Sequence, residues 1–378
     1  MKHNPLKQLG SLGQSVWLDY IRRDLITRGE LRHLIEEDGL RGMTSNPAIF
    51  EKAITGSHEY DDDIQAMVKE GKGAQDIYEA LSLQDVQSAA DAFRPVYEKT
   101  DGRDGFVSLE VNPHLARDTD GTLREARRLW ADLNRPNVFI KVPATTQGLA
   151  AIQQLTSEGI NVNVTLLFGL PRYRQVAEAY LAGLEARLAQ GKAVSHLASV
   201  ASFFVSRIDT LVDPLLEAII AQGGHKADLA KQALGQVAVA SARLAYQDCK
   251  HLFGSDRFRN MAAKGARVQR LLWASTGTKN PDYSDVKYIE ELIGPDTVNT
   301  VPVETLAAFR DHGVAQVNLE RDIPTAARTL EQLPALGIDL EAVTQQLEED
   351  GIEKFNQPFD KLMLGLEKRS RSSGAKES

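Results

Sequence analysis

Cysteine is almost absent: Cys249 is the only one in 378 residues. That excludes an intrachain disulfide and any cysteine metal cluster, and it suits a reducing cytoplasm. An excess of positive charge is also missing. The formal net charge of −8 argues against general nucleic-acid affinity, which needs clustered surplus lysine and arginine. It leaves room for a small local anion site. No window approaches the about 20 consecutive apolar residues of a membrane span. The start, Met1-Lys-His-Asn-Pro-Leu-Lys-Gln, holds no apolar stretch of signal-peptide length. No Gly-x-Gly-x-x-Gly follows an apolar run and no Walker-type loop occurs, which disfavours dinucleotide and nucleoside-triphosphate sites. Internal repeats and Pro- or Gly-rich linkers are lacking as well, so one domain is expected.

What is present points to a large soluble core: 42% of residues are hydrophobic and 25% charged. Short β-rich runs alternate with helical stretches. The expected strands are 16–20, 39–43, 105–111, 138–142, 160–167, 197–205, 268–274 and 297–301. Strands alternating with helices predict parallel pairing. Eight such units in one chain favour an α/β fold of the closed (β/α)8 TIM-barrel type over an open sheet. Residues 1–367 are read as that single domain. Helices are expected at 123–133, stopped by Pro136, and at 172–190, opened by Pro171. Residues 221–267, with an alanine-rich helix at 232–249, read as extra outer helix, and 330–367 as one or two closing helices. The basic, serine-rich tail 368–378 is expected to be disordered.

Within this pattern Lys141 stands out. It lies near the end of Asn137-Val-Phe-Ile-Lys141-Val-Pro-Ala-Thr145, an apolar run that reads as a buried parallel strand. Burial disfavours an ammonium, and a neutral lysine in a dry pocket attacks carbonyls to form Schiff bases. The competing reading is a lysine that snorkels outward or pairs with a carboxylate.

Barrels of this type place reactive groups at the carboxyl ends of their strands. Applied strand by strand, that filter selects Asp19, then Asn46 in Thr44-Ser-Asn46-Pro47, Glu110, Lys141, Asn163 with Thr165, Ser202 with Arg207, and Ser275 with Lys279 beyond it. Each has an ordinary alternative. Asp19 reads equally as a turn cap, and Asn46-Pro47 as a turn start. Glu110 reads as an arginine partner, Thr165 and Ser202 as core hydroxyls, and Arg207 and Lys279 as surface charges. Together they form a reaction site. A Schiff-base lysine needs an acid/base group, for which Glu110 is placed, with Thr165 helping to hold a water. Cleaving a carbon–carbon bond beta to the imine needs a base, and Asp19 is the candidate. Asn46, Asn163 and Ser202 suit substrate hydroxyls. Arg207, Ser275 and Lys279 suit a phosphate. No histidine pairs with a second metal-type ligand near these strand ends, the nearest being His114.

These residues resemble a known family. Gly42-Met-Thr-Ser-Asn46-Pro47-Ala-Ile-Phe, Val107-Ser-Leu-Glu110-Val, Phe139-Ile-Lys141-Val-Pro-Ala-Thr-Thr-Gln-Gly148, Gly159-Ile-Asn-Val-Asn163-Val-Thr165-Leu-Leu-Phe168 and Ser202-Phe-Phe-Val-Ser-Arg207-Ile-Asp are similar to segments of the transaldolases of the pentose phosphate pathway. The resemblance covers about residues 15–310. It implies a (β/α)8 barrel with the Schiff-base lysine on strand four and no cofactor or metal. It implies Lys141 as nucleophile, Asp19 as proton acceptor, and Glu110 with Thr165 around the catalytic water. Asn46 and Ser202 would contact the donor sugar, and Arg207 with Ser275 the phosphate. Many relatives carry Ala-Ser-Phe-Arg after strand seven. Here the stretch is Ala274-Ser275-Thr-Gly-Thr-Lys279-Asn-Pro, and Lys279 is the expected substitute for the arginine. That stretch is similar to the longer bacterial subgroup.

The resemblance implies transfer of a dihydroxyacetone unit from sedoheptulose 7-phosphate to glyceraldehyde 3-phosphate, giving erythrose 4-phosphate and fructose 6-phosphate. Fructose-6-phosphate aldolases share the barrel and lysine, but they are shorter and resemble transaldolase with glutamine at the position of Glu110. A non-catalytic sugar-phosphate-binding barrel is the third reading. Expected partners are sugar phosphates, with neither nucleic acid nor membrane. A homo-oligomer stays open, because no single outer face is apolar enough to mark an interface.

Overall fold

The computed structural model describes residues 4–374. Eight parallel strands close on themselves in chain order: β1 Gln14–Asp19, β2 Gly42–Thr44, β3 Phe106–Glu110, β4 Val138–Pro143, β5 Val162–Leu167, β6 Ser199–Phe204, β7 Arg270–Ala274 and β8 Thr297–Val301. β8 pairs with β1, so no edge strand is left exposed. This is the expected (β/α)8 barrel. Nearly all of the described buried apolar residues form one cluster.

Strand ends differ from expectation where helix caps intrude. The run at 39–43 begins too early because Gly39 adopts φ +72° and the Leu40 amide turns back to the Leu34 carbonyl. Both belong to the end of helix Glu30–Glu37. Gly159 likewise closes helix Thr146–Glu158 in the left-handed conformation, which delays β5 to Val162. Helix Thr119–Leu133 starts earlier than 123, since the Asp118 carboxylate accepts from the Gly121 amide at 2.9 Å.

The alanine-rich helix expected at 232–249 is corrected. It is two helices, His225–Ala233 and Val237–Phe253, broken where Gly235 takes φ +66°. Asp213 accepts from the Gly235 amide and Asp209 from the Ala238 amide, so side chains satisfy the amides freed by the break. The chain closes with Ile323–Leu336 and a 35-residue helix, Leu340–Gly374. Residues 368–374 are thus helical instead of disordered, and 375–378 lie outside the described residues. Among the described residues no helix is long and apolar enough to cross a membrane.

Trp17, Phe106 and Phe139 fill the lower barrel interior, with the two phenylalanine rings stacked at 4.3 Å. Gly42 pairs with Trp17 across β1 and β2. A Cβ there would lie 2.6 Å from the indole, so the tryptophan requires glycine beside it.

Below the rings lies a buried ionic knot. Arg270 reaches Asp104 at 3.1 Å, Ser15 at 2.7 Å and the Thr297 carbonyl at 2.8 Å. Removing one partner of a buried pair leaves the other charge uncompensated, at about 3–5 kcal/mol. Arg270→Ala is therefore expected to lower the thermal midpoint by several degrees at fixed scan rate. An unchanged midpoint would show that the knot is energetically neutral.

Candidate active site

The barrel's carboxyl end gathers the polar residues expected there. Asp19, Thr44 and Glu110 are the last residues of β1, β2 and β3. Pairing places Glu110 beside Lys141 and Lys141 beside Asn163. Three neighbouring strands thus present an acid, an amine and an amide in one rank.

Lys141 is buried, with 4% exposure. Its Nζ lies 3.2 Å from Glu110 Oε2 and donates to the Ser45 carbonyl at 2.9 Å. The sequence set two readings against each other, a buried nucleophile and a lysine paired with a carboxylate. The structure shows a lysine that is at once buried and paired with a carboxylate. The ion pair is close but not aligned as a hydrogen bond, so both Glu110 carboxyl oxygens lack a hydrogen-bond partner. The buried Thr165 hydroxyl also lacks one. Such atoms are uncommon in folded proteins and call for an explanation. Burial pushes the Glu110 carboxyl above the usual carboxylate range, Lys141 pulls it back, and the charge of Asp19 pushes it further up.

Asp19 accepts from the Thr44 hydroxyl at 2.7 Å, and Thr44 touches Thr300 at the same distance. Its surface is only partly covered, yet the surrounding protein pushes its carboxyl upward. Lys141, the Thr44 bond, Arg207 and Lys279 oppose that shift, in descending order. All three cations therefore act on Asp19. A carboxyl raised in this way holds a proton more readily than an ordinary carboxylate, as a general base requires.

The donor-side candidates divide. Asn46 caps helix Pro47–Thr55 through its side-chain oxygen, 3.0 Å from the Ile49 amide. The ordinary reading of Asn46 as a turn start thus becomes a helix N-cap, and among the described residues no hydrogen bond is recorded for the Asn46 NH2 group. Ser202 donates to Asn163 at 2.7 Å, and Asn163 donates to Ser108 at 3.0 Å. These two side chains are bonded to each other inside the barrel, so Ser202 is a buried hydroxyl whose partner is a side chain instead of the backbone.

Past β6 on the same rim Arg207 is half-buried, and its Nη1 lacks a hydrogen-bond partner. Burial lowers its basicity, while Asp19 and Asp350 sustain the charge. Ser275 meets Ser206, the neighbour of Arg207, at 3.1 Å. Ser275 also holds φ +53°, a costly conformation for a non-glycine residue and one that clusters at functional sites. Lys279 is exposed. His114 lies outside the site and pairs with Asp360 at 2.7 Å. Among the described residues no group of three or more His, Cys, Asp or Glu side chains could hold a metal.

Sequence reasoning missed three contributors. The Ser45 carbonyl is a backbone group and leaves no letter to find. Thr44 stood in a quoted motif, but its register with Asp19 needed the barrel. Phe355 sits far along the chain, yet its ring centre is 5.8 Å from Lys141 Nζ.

The family model described as transaldolase/fructose-6-phosphate aldolase matches residues 16–366. A Nostoc protein named transaldolase 2 is 49% identical over 372 residues, covering 97% of this chain and 98% of its own. A Thiobacillus denitrificans protein named transaldolase is 46% identical, covering 96% and 99%. One from Mycobacterium tuberculosis, also named transaldolase, is 46% identical, covering 95% and 96%. The chain belongs to the transaldolase/fructose-6-phosphate aldolase family.

Proposed function

We propose that this chain is a transaldolase, a transferase that moves a dihydroxyacetone unit between sugar phosphates through a Schiff base on Lys141. The observation that carries the reading is the buried Lys141 amine 3.2 Å from the Glu110 carboxyl. The amine attacks the C2 carbonyl of a ketose phosphate such as sedoheptulose 7-phosphate. Glu110 moves the protons of carbinolamine formation and dehydration, with a water held between it and Thr165. Asp19 takes the C4 hydroxyl proton, the C3–C4 bond breaks, and its electron pair flows into the iminium. Erythrose 4-phosphate leaves, and the enamine stays on the lysine. The enamine then attacks glyceraldehyde 3-phosphate, and hydrolysis of the new iminium releases fructose 6-phosphate.

Asn46 orients the donor hydroxyls through its free NH2 group, while Ser202 and Asn163 shape the floor beneath them. Arg207, Ser275 and Lys279 hold the phosphate, with Arg207 as the main contact because its guanidinium is half-buried and under-bonded. Lys279, an exposed point charge, contributes less than the planar fork of an arginine would. The pentose phosphate pathway and the cytoplasm follow as the setting, since phosphorylated sugars do not cross membranes freely.

Product analysis tests the proposal against the aldolase reading. With fructose 6-phosphate as donor, consumption is expected to depend on an added aldose phosphate acceptor. Free dihydroxyacetone as the main product without acceptor would instead establish an aldolase.

A further inference from the structure

The C-terminal helix Leu340–Gly374 runs along the barrel mouth. Arg172 of helix Leu170–Ala189 pairs with Glu348 at 3.5 Å. Asp350 acts on Arg207. Farther along, Lys361 pairs with buried Glu51 at 2.8 Å, and Asp360 with His114. The helix therefore passes from β5 and β6 towards β2 and β3, anchored on both sides. Gly351 lets it come close, since a Cβ there would lie 2.9 Å from Leu166 Cδ2. Leu166 follows Thr165, holds φ +54°, and marks the register shift between β5 and β6. Midway along this span Phe355, 4% exposed, lies with its ring centre 5.8 Å from Lys141 Nζ.

Building on the transaldolase reading above, we propose that Phe355 is a specificity-determining residue. Its ring forms an apolar cover over the Lys141 adduct and sets the balance between group transfer and premature release of dihydroxyacetone. The enamine has two fates. In transfer its carbon attacks the acceptor aldehyde, and no water is consumed until the product iminium has formed. In release, the same carbon first takes a proton from solvent, which turns the enamine into an iminium between C2 and the lysine nitrogen. Water then adds at C2, the C–N bond breaks, and free dihydroxyacetone and the lysine amine result. Release therefore begins with solvent reaching the enamine carbon. A buried phenyl ring over the nitrogen excludes that solvent. Its π-face also attracts the cationic nitrogen of the iminium. The productive water on the Glu110 and Thr165 side remains available for the last step.

The test compares Phe355→Ala, Phe355→Leu and the unaltered enzyme. Each is incubated with fructose 6-phosphate, with and without erythrose 4-phosphate, and free dihydroxyacetone and transferred product are both measured. Phe355→Ala is expected to raise the release-to-transfer ratio about tenfold by opening the adduct to water. Phe355→Leu restores most of the apolar volume and is expected to stay within about twofold of the unaltered enzyme. Should the alanine variant fail to fold, Phe355→Gln, of similar length but polar, takes its place in the comparison. An unchanged ratio in the folded alanine or glutamine variant, with kcat lowered equally for both products, overturns the proposal and leaves Phe355 a packing residue. Absence of transfer in the unaltered enzyme would instead overturn the transaldolase reading.

Discussion

Lys141→Met abolishes dihydroxyacetone transfer, with an expected loss on the order of 10⁵-fold or more, as when other enzymes lose their covalent nucleophile. Methionine keeps much of the length and apolar bulk of the lysine stem but cannot form an imine. The fold should tolerate it. Losing the lysine deprives Glu110 of its cation, yet a buried carboxyl in that position takes up a proton instead of remaining an uncompensated charge. Burial already pushes the Glu110 carboxyl above its ordinary 4.5, and Lys141 is the main opposing influence. Without Lys141 the folded-state value rises further. A carboxyl raised in the folded state adds stability that is complete below its unfolded value and is lost as pH rises through the folded one. Thermal midpoints of the variant should match the unaltered protein below pH 4.5 and fall progressively behind it as pH rises. A collapse of stability at all pH values would mark Lys141 as chiefly structural.

Glu110→Gln should lower kcat by about 10²–10⁴-fold, the usual contribution of a positioned acid/base group. Glutamine has the same size and can still meet the Lys141 amine, so the change removes proton transfer with little loss of shape. Both Glu110 oxygens lack a hydrogen-bond partner and the buried Thr165 hydroxyl on β5 is equally unpartnered, which fits a carboxyl whose partner is a reacting water. The pH–rate profile separates this role from mere charge balance. Of the raised carboxyls, Asp19 stays in the variant, so the limb due to Glu110 should vanish while that of Asp19 persists. An unaltered profile, or a loss of activity below about threefold, would assign proton transfer elsewhere. The change also introduces the glutamine by which fructose-6-phosphate aldolases differ from transaldolases at this position, so the released-to-transferred product ratio should rise as kcat falls.

Much of the barrel was legible because its signal is local. A buried parallel strand is a short apolar run, and eight of them were counted with ends within three residues of those observed. Boundaries failed where one glycine changed the backbone's direction, at Gly39, Gly159 and Gly235. A φ preference does not show in hydrophobic periodicity. The tail failed for another reason. Its serine-rich composition suggests disorder, but the helix before it is long and docked, and it continues to Gly374.

The site was legible where strand position alone decides it. Asp19, Glu110 and Lys141 fall at strand ends, so counting strands placed them on one rim. Asn46, Ser202 and Asn163 were harder, because a hydroxyl or amide has the same letter whether it faces a ligand or bonds its neighbour. Only coordinates separate the Asn46 cap from its free amide, or show Ser202 bonded to Asn163. Phe355 was out of reach of any local pattern. Its place over Lys141 depends on where a long helix crosses the barrel, which no short window encodes.

The central claim is that a carbonyl substrate becomes covalently attached at the Lys141 nitrogen. Borohydride reduction in the presence of fructose 6-phosphate, followed by peptide mass spectrometry, reads that attachment directly. The expected result is an irreversible three-carbon adduct on the peptide containing Lys141, formed only when both substrate and borohydride are present. An adduct on a different lysine, or none on a folded protein that still turns over substrate, would contradict it.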